Sequence, residues 1–175
     1  VGRTYVFSGA TGTLLLTLDA PGFSVAAGDL NGDGHADIVV GGTGDPTYVF
    51  SGATGTILFT LPYPIGDDSN HGTSLAVADF DGDGRTDIIL GAPRDHKPPC
   101  CPQFEPPGRV YVFSGETGSL MFTLDTPNPG TLETVILCKS GPRFGASVAA
   151  GDVDGDSLPD VVVGAPFEAV NGVCA

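Results

Sequence analysis

The chain has 175 residues, 41% of them apolar, with 27 glycines, 15 prolines, one methionine and no tryptophan. That length gives one domain or one repeat array, and so much Gly and Pro favours short strands and turns over long helices. A formal charge of −14 with only seven scattered Lys and Arg excludes a basic stripe for nucleic acid, and no apolar run reaches the ~18 residues of a membrane span.

The chain opens on Val1 and shows no signal peptide, so it is expected to be processed or to be a piece of something longer. The first predicted element is a hairpin over Tyr5-Val-Phe-Ser-Gly-Ala-Thr-Gly-Thr-Leu-Leu-Leu-Thr-Leu18. Aromatic and β-branched residues lead into a Gly-containing turn, and an apolar stretch follows. Next comes a short strand, Ser24-Val-Ala-Ala, then Asp29-Leu-Asn-Gly-Asp-Gly-His-Ala-Asp37, then a second strand, Ile38-Val-Val. The hairpin returns at Tyr48–Leu61. The acidic loop returns as Asp79-Phe-Asp-Gly-Asp-Gly-Arg-Thr-Asp87, between strands Leu75-Ala-Val-Ala and Ile88-Ile-Leu. A third hairpin, Tyr111–Leu124, precedes a third loop, Asp152-Val-Asp-Gly-Asp-Ser-Leu-Pro-Asp160, between Val148-Ala-Ala and Val161-Val-Val. Short β-branched runs bounded by Gly read as buried strands. The Pro-rich connections 97–108 and 126–141 read as surface loops.

Each acidic loop sets oxygen side chains at positions 1, 3, 5 and 9, and the three loops hold eleven of the 21 carboxylates. Such a row repels itself unless a cation sits in it. A hard divalent ion taking 6–8 oxygens, calcium, is the economical choice, so three calcium sites are expected. Three bound ions would bring the net charge from −14 to −8. The loops match an EF-hand only in their first half. Position 12 is Val40, Leu90 and Val163 rather than Glu, and the flanks are strands rather than helices. Position 6 is Gly34 and Gly84 but Ser157, which is strained if that position needs a positive φ.

The order strand, acidic loop, strand, connection, strand, turn, strand gives four antiparallel strands per unit, a propeller blade. The chain resembles the FG-GAP repeats of integrin-alpha-type β-propellers. The third unit carries Phe144-Gly145 and Gly164-Ala165-Pro166, and the second carries His71-Gly72 and Gly91-Ala92-Pro93. The first departs, with Gly22-Phe23 reversed and Gly41-Gly42-Thr43. The fold class expected is therefore all-β, FG-GAP blades of an incomplete or open propeller or repeat array. One repeat region spans 1–175: a half blade at 1–20, blades at 21–63 and 70–125, and a half blade at 142–175. The resemblance implies three ligand sets. They are Asp29, Asn31, Asp33 and Asp37 with the His35 carbonyl; Asp79, Asp81, Asp83 and Asp87 with the Arg85 carbonyl; and Asp152, Asp154, Asp156 and Asp160 with the Leu158 carbonyl. Asn31 removes one charge from the first set, and the second is expected to bind tightest.

Four cysteines, Cys100, Cys101, Cys138 and Cys174, show no C-x-x-C spacing, which disfavours zinc. An even count beside calcium loops points to an oxidising, extracellular or cell-surface location. Two bridges are expected, with Cys138 joined to Cys100 or Cys101, because a bond between those adjacent residues is strained. No N-x-[ST] sequon occurs. His35, His71 and His96 are spread too widely to form a ligand or catalytic set, and Asp67 and Asp68 read as solvated loop.

The expected function is a non-enzymatic, calcium-binding structural or adhesion module. It would assemble head-to-tail into a fibre or form part of a larger propeller. Its partners would be copies of itself or further repeats, with a protein or glycan ligand besides. The alternative is an accessory propeller portion of a secreted calcium-dependent enzyme acting on polysaccharide, with the catalytic residues elsewhere.

Overall fold

A computed structural model describes residues 2–42, 46–62, 71–95, 107–127 and 141–168. All four cysteines, His96, Asp67 and Asp68 lie outside those residues. The described chain is all-β. Strands β1 (Thr4–Phe7) and β2 (Leu14–Leu18) form a two-stranded sheet. Strands β3 (Ser24–Gly28), β4 (Asp37–Gly41), β5 (Thr47–Phe50) and β6 (Ile57–Leu61) form a four-stranded antiparallel sheet in that order. Strands β7 (Ser74–Ala78), β8 (Asp87–Ala92), β9 (Arg109–Phe113) and β10 (Leu120–Asp125) form a second one. The last pair is β11 (Ser147–Gly151) with β12 (Asp160–Gly164). These are the blades of an incomplete, unclosed propeller. Among the described residues no helix is long and apolar enough to cross a membrane.

Blade registers repeat residue for residue. Val39 stands opposite Val49, and Ile89 opposite Val112, where the second and third strands of each blade pair. The third and fourth strands close through the Ser-Gly-x-Thr-Gly turn. There Ser8, Ser51 and Ser114 amides donate to the carbonyls of Thr13, Thr56 and Ser119 at 2.8–2.9 Å. A bulge follows beside Phe7, Phe50 and Leu120, which the alternation pattern does not announce.

The central strands are covered on both faces, which explains why β4 and β8 read as continuous β-branched runs. Leu18, Ile38, Val40 and Phe50 bury β2 against the first full blade. Val39, Val49, Ile88, Leu90, Tyr111 and Phe113 fill the space between the two full blades. Ile89, Val110, Val112 and Phe144 pack against Val148, Val161 and Val163 of the last strand pair. Successive units thus stack face to face in chain order.

The recurring glycines sit at the joint between units. A Cβ on Gly41 would fall on the Gly72 carbonyl, and one on Gly91 on the Gly145 carbonyl. Hydroxyls hold the same joint. Ser24 Oγ donates to Gly72 O at 2.5 Å, and Ser74 Oγ to Gly145 O at 2.8 Å. In the first unit Gly22 stands two residues before Ser24, as Gly72 and Gly145 stand before Ser74 and Ser147. The apparent reversal is therefore a Pro21 in the place of Phe144.

Candidate metal centre

Each acidic loop joins the first and second strands of a unit, and its backbone wraps around its own carboxylates. Asp29 accepts the amides of Gly32, Asp33 and Gly34 at 2.7, 3.1 and 2.9 Å. Asp79 accepts those of Gly82, Asp83 and Gly84 at 2.8, 3.1 and 2.9 Å. Asp152 accepts Gly155 and Ser157 at 2.7 and 3.1 Å. Position 5 turns back on position 7, with the amides of His35, Arg85 and Leu158 donating to Asp33, Asp83 and Asp156 at 2.8 Å. A carboxylate has about four lone-pair sites, so these amides orient the oxygens and leave capacity for a cation.

The position-9 carboxylate has a second role, invisible in the loop itself. Asp87 accepts the Phe80 amide at 2.9 Å through Oδ2 and the Gly115 amide at 3.0 Å through Oδ1. Asp37 likewise accepts Leu30 and Asn31 through Oδ2 at 3.1 and 3.2 Å, and Gly52 through Oδ1 at 3.1 Å. One carboxylate therefore ties the acidic loop to the Ser-Gly turn of the same blade. Asp37 and Asp87 are fully buried. Burial pushes the Asp87 carboxyl above its ordinary range, against the pull of the Gly115 and Phe80 amides, and the nearby Asp81 and Asp83 charges push it further. The Asp33 carboxyl is held low by the His35 amide and the Asn31 side chain.

The three loops are not equivalent. In the second, oxygens of Asp79, Asp81 and Asp87 lie within 4.8 Å of one another; in the third, those of Asp152, Asp154 and Asp156 do. Asp83 and Asp160 stand outside these groups. No three carboxylates of the first loop meet that spacing among the described residues; Asn31 Nδ2 instead donates to Asp33 Oδ2 at 3.1 Å. The donor set is oxygen alone, with no His Nδ1 or Nε2 or Cys Sγ in either group. It fits a hard cation such as calcium and not zinc. At position 7 the side chains differ: Arg85 pairs with Glu116, whereas the His35 ring lies 3.3 Å from Asp33 of its own loop. Ser157 has φ +74°, where Gly34 and Gly84 have +83° and +87°.

Among the described residues, the histidines form no such group. His35 is exposed beside Asp33. His71 is buried where Phe144 stands in the next unit, its ring 5.6 Å from Tyr111 and its Nε2 3.7 Å from Asp95. Burial and the Asp95 contact push the Tyr111 hydroxyl well above its usual range.

Comparison with known proteins matches the same residues. A family model described as FG-GAP-like repeat matches residues 29–90, and one described as FG-GAP repeat matches 71–113 and 144–173. Integrin alpha-4 of Xenopus laevis is 39% identical over 67 residues, 38% of this chain and 6% of that protein. Two solved structures are similar to this chain at 16% identity. They are a rhamnogalacturonan lyase of Bacillus licheniformis (TM-score 0.49, 88% of this chain and 46% of that one) and the exotype rhamnogalacturonan lyase YesX (TM-score 0.47, 94% and 41%). The chain thus spans under half the length of each of these three.

Proposed function

The chain belongs to the FG-GAP repeat family, and from that premise we propose that it is a non-enzymatic, calcium-bound module for structure or adhesion outside the cell. The observation that carries this reading is the convergence of Asp79, Asp81 and Asp87 within 4.8 Å, repeated for three carboxylates of the third loop. Those oxygens are pre-aimed by backbone amides, and like charges so close favour a divalent cation among them. The ligand sets are the side chains at positions 1, 3, 5 and 9 with the carbonyls of His35, Arg85 and Leu158. The similarity to an integrin alpha chain supports an extracellular or cell-surface place, where calcium is abundant and the four cysteines would be oxidised. Partners are further FG-GAP units and a protein or glycan ligand.

Bound calcium does structural work here. Asp87 is shared between the cation and the Gly115 amide, so filling the site fixes the Ser-Gly turn and both outer strands. A cation that binds only the folded state adds about 1.4 kcal/mol per tenfold excess over its Kd. Melting followed in millimolar calcium and in excess chelator tests the reading: chelation is expected to lower Tm by several degrees. Equal Tm values in the two conditions would overturn it.

A further inference from the structure

The first and second acidic loops meet through three contacts, each made by residues next to their proposed calcium ligands. The Thr86 amide donates to the Asp29 carbonyl at 2.9 Å. Asp29 is position 1 of the first loop, and Thr86 directly precedes Asp87, position 9 of the second. Leu30, next after Asp29, is fully buried in the core between the two full blades. A Cβ on Gly115 would stand 3.4 Å from the Leu30 Cβ and would fall on the Thr86 carbonyl. Gly115 is also the residue whose amide Asp87 Oδ1 accepts at 3.0 Å. Arg85 makes the third contact, since a Cβ on Gly32 would stand 3.1 Å from its Nε. Gly32 in turn donates its amide to Asp29 at 2.7 Å.

The second and third loops cannot form the same bond. The counterpart of Thr86 is Pro159, which has no amide hydrogen to give to the Asp79 carbonyl. The counterpart of Arg85 is Leu158, which carries no charge. The joint between loops is therefore particular to the first two.

We propose that the first and second calcium sites fill as a positively coupled pair, with Thr86 as the coupling residue, and that the third fills independently. This inference rests on the calcium reading and deepens it by naming how one site regulates another. A cation in the second loop holds Asp87. Asp87 in turn fixes the Gly115 amide and the Thr86 peptide beside it. Those two groups lie against Asp29 and Leu30, positions 1 and 2 of the first loop. Part of the ordering that the first site needs is then complete before its own ion arrives, so less entropy is lost on binding. The first loop has most to gain. No three of its carboxylates converge within 4.8 Å among the described residues, and Asn31 removes a charge. The coupling is reciprocal: the factor by which the second site strengthens the first is the factor by which the first strengthens the second. Repulsion between two bound ions opposes it, but salt at about 0.15 M screens exposed charges beyond about 8 Å. The Thr86 bond is not screened in this way, so at that ionic strength the coupling stays positive.

The test is a calcium titration of the 175-residue chain in about 0.15 M salt, followed by the NMR signals of the Gly34, Gly84 and Ser157 amides. Each of these amides donates to the position-1 carboxylate of its own loop, so each reports one site. Asp81→Ala removes an exposed position-3 ligand of the second site and leaves Asp87 and Thr86 in place. It is expected to weaken the first site by about fivefold or more, and Asp33→Ala to weaken the second by the same factor. Asp156→Ala is expected to leave the first and second sites unchanged. Thr86→Pro copies the third loop, and in that background Asp81→Ala is expected to have no effect on the first site. A first site that Asp81→Ala leaves unchanged or tightens overturns the proposal. Equal weakening by Asp156→Ala, or coupling that survives Thr86→Pro, also overturns it. If Thr86→Pro does not fold, hydrogen exchange of the Thr86 amide in the Asp33→Ala chain decides the route. Slower exchange on filling the second site is expected, and unchanged exchange overturns the role of Thr86. Three sites that fill independently defeat the coupling alone. No saturable calcium binding at any loop defeats the calcium reading and the coupling with it.

Discussion

Ser157 occupies a left-handed backbone position that its two counterparts fill with glycine. A non-glycine residue there stores about 1 kcal/mol or more, partly offset by the backbone entropy a glycine would bring to the unfolded chain. Ser157→Gly is therefore expected to raise stability by about 0.5–1 kcal/mol, read as a higher urea midpoint at unchanged slope; a lower midpoint would contradict the strain. At the same scale Asp87 is the costliest carboxylate to lose. Asp87→Ala deletes a proposed cation ligand and strands two amides, one of them buried, so about 3 kcal/mol is expected. Asp19→Ala, which removes an exposed pair with Arg3, should cost under about 1 kcal/mol. Matching losses from the two substitutions would deny Asp87 its double role. The loop carboxylates were legible because their spacing repeats three times. The double role was not, because Gly52 and Gly115 lie 15 and 28 residues beyond their aspartates, and only strand pairing brings them back.

Among elements, strand identity and order followed from β-branched runs bounded by Gly, and the antiparallel blade followed from their count. Two features needed coordinates. The bulge after Val6, Val49 and Leu120 leaves the residue alternation almost intact, so no periodicity marks it. The glycines before each connection look like ordinary turn residues, yet they are there because the next unit's backbone touches them. Gly91→Ala pushes a Cβ onto the Gly145 carbonyl and Ser74 Oγ. Neither the backbone nor the packed blade behind it yields cheaply, so a loss of about 2–3 kcal/mol is expected. Urea unfolding monitored by circular dichroism measures it. A midpoint equal to that of the parent would show that the joint is looser than its geometry implies.

For the whole molecule, the acidity is concentrated in the three loops proposed to hold calcium. Eleven carboxylates in three loops account for half of the charge that composition alone would assign to a solvated surface. The cysteine pairing read from the sequence lies outside the described residues, and the extracellular reading predicts that unreduced protein offers no alkylatable thiol; four would contradict it. The three loops also differ in how far their carboxylates converge. The second combines three converging oxygens with the buried Asp87, the third converges at positions 1, 3 and 5, and the first converges least. Isothermal titration of calcium into chelator-stripped protein tests the central claim most directly. Three ions per chain are expected, with Asp87→Ala removing the tightest-binding one. Absence of any saturable calcium binding would contradict the account.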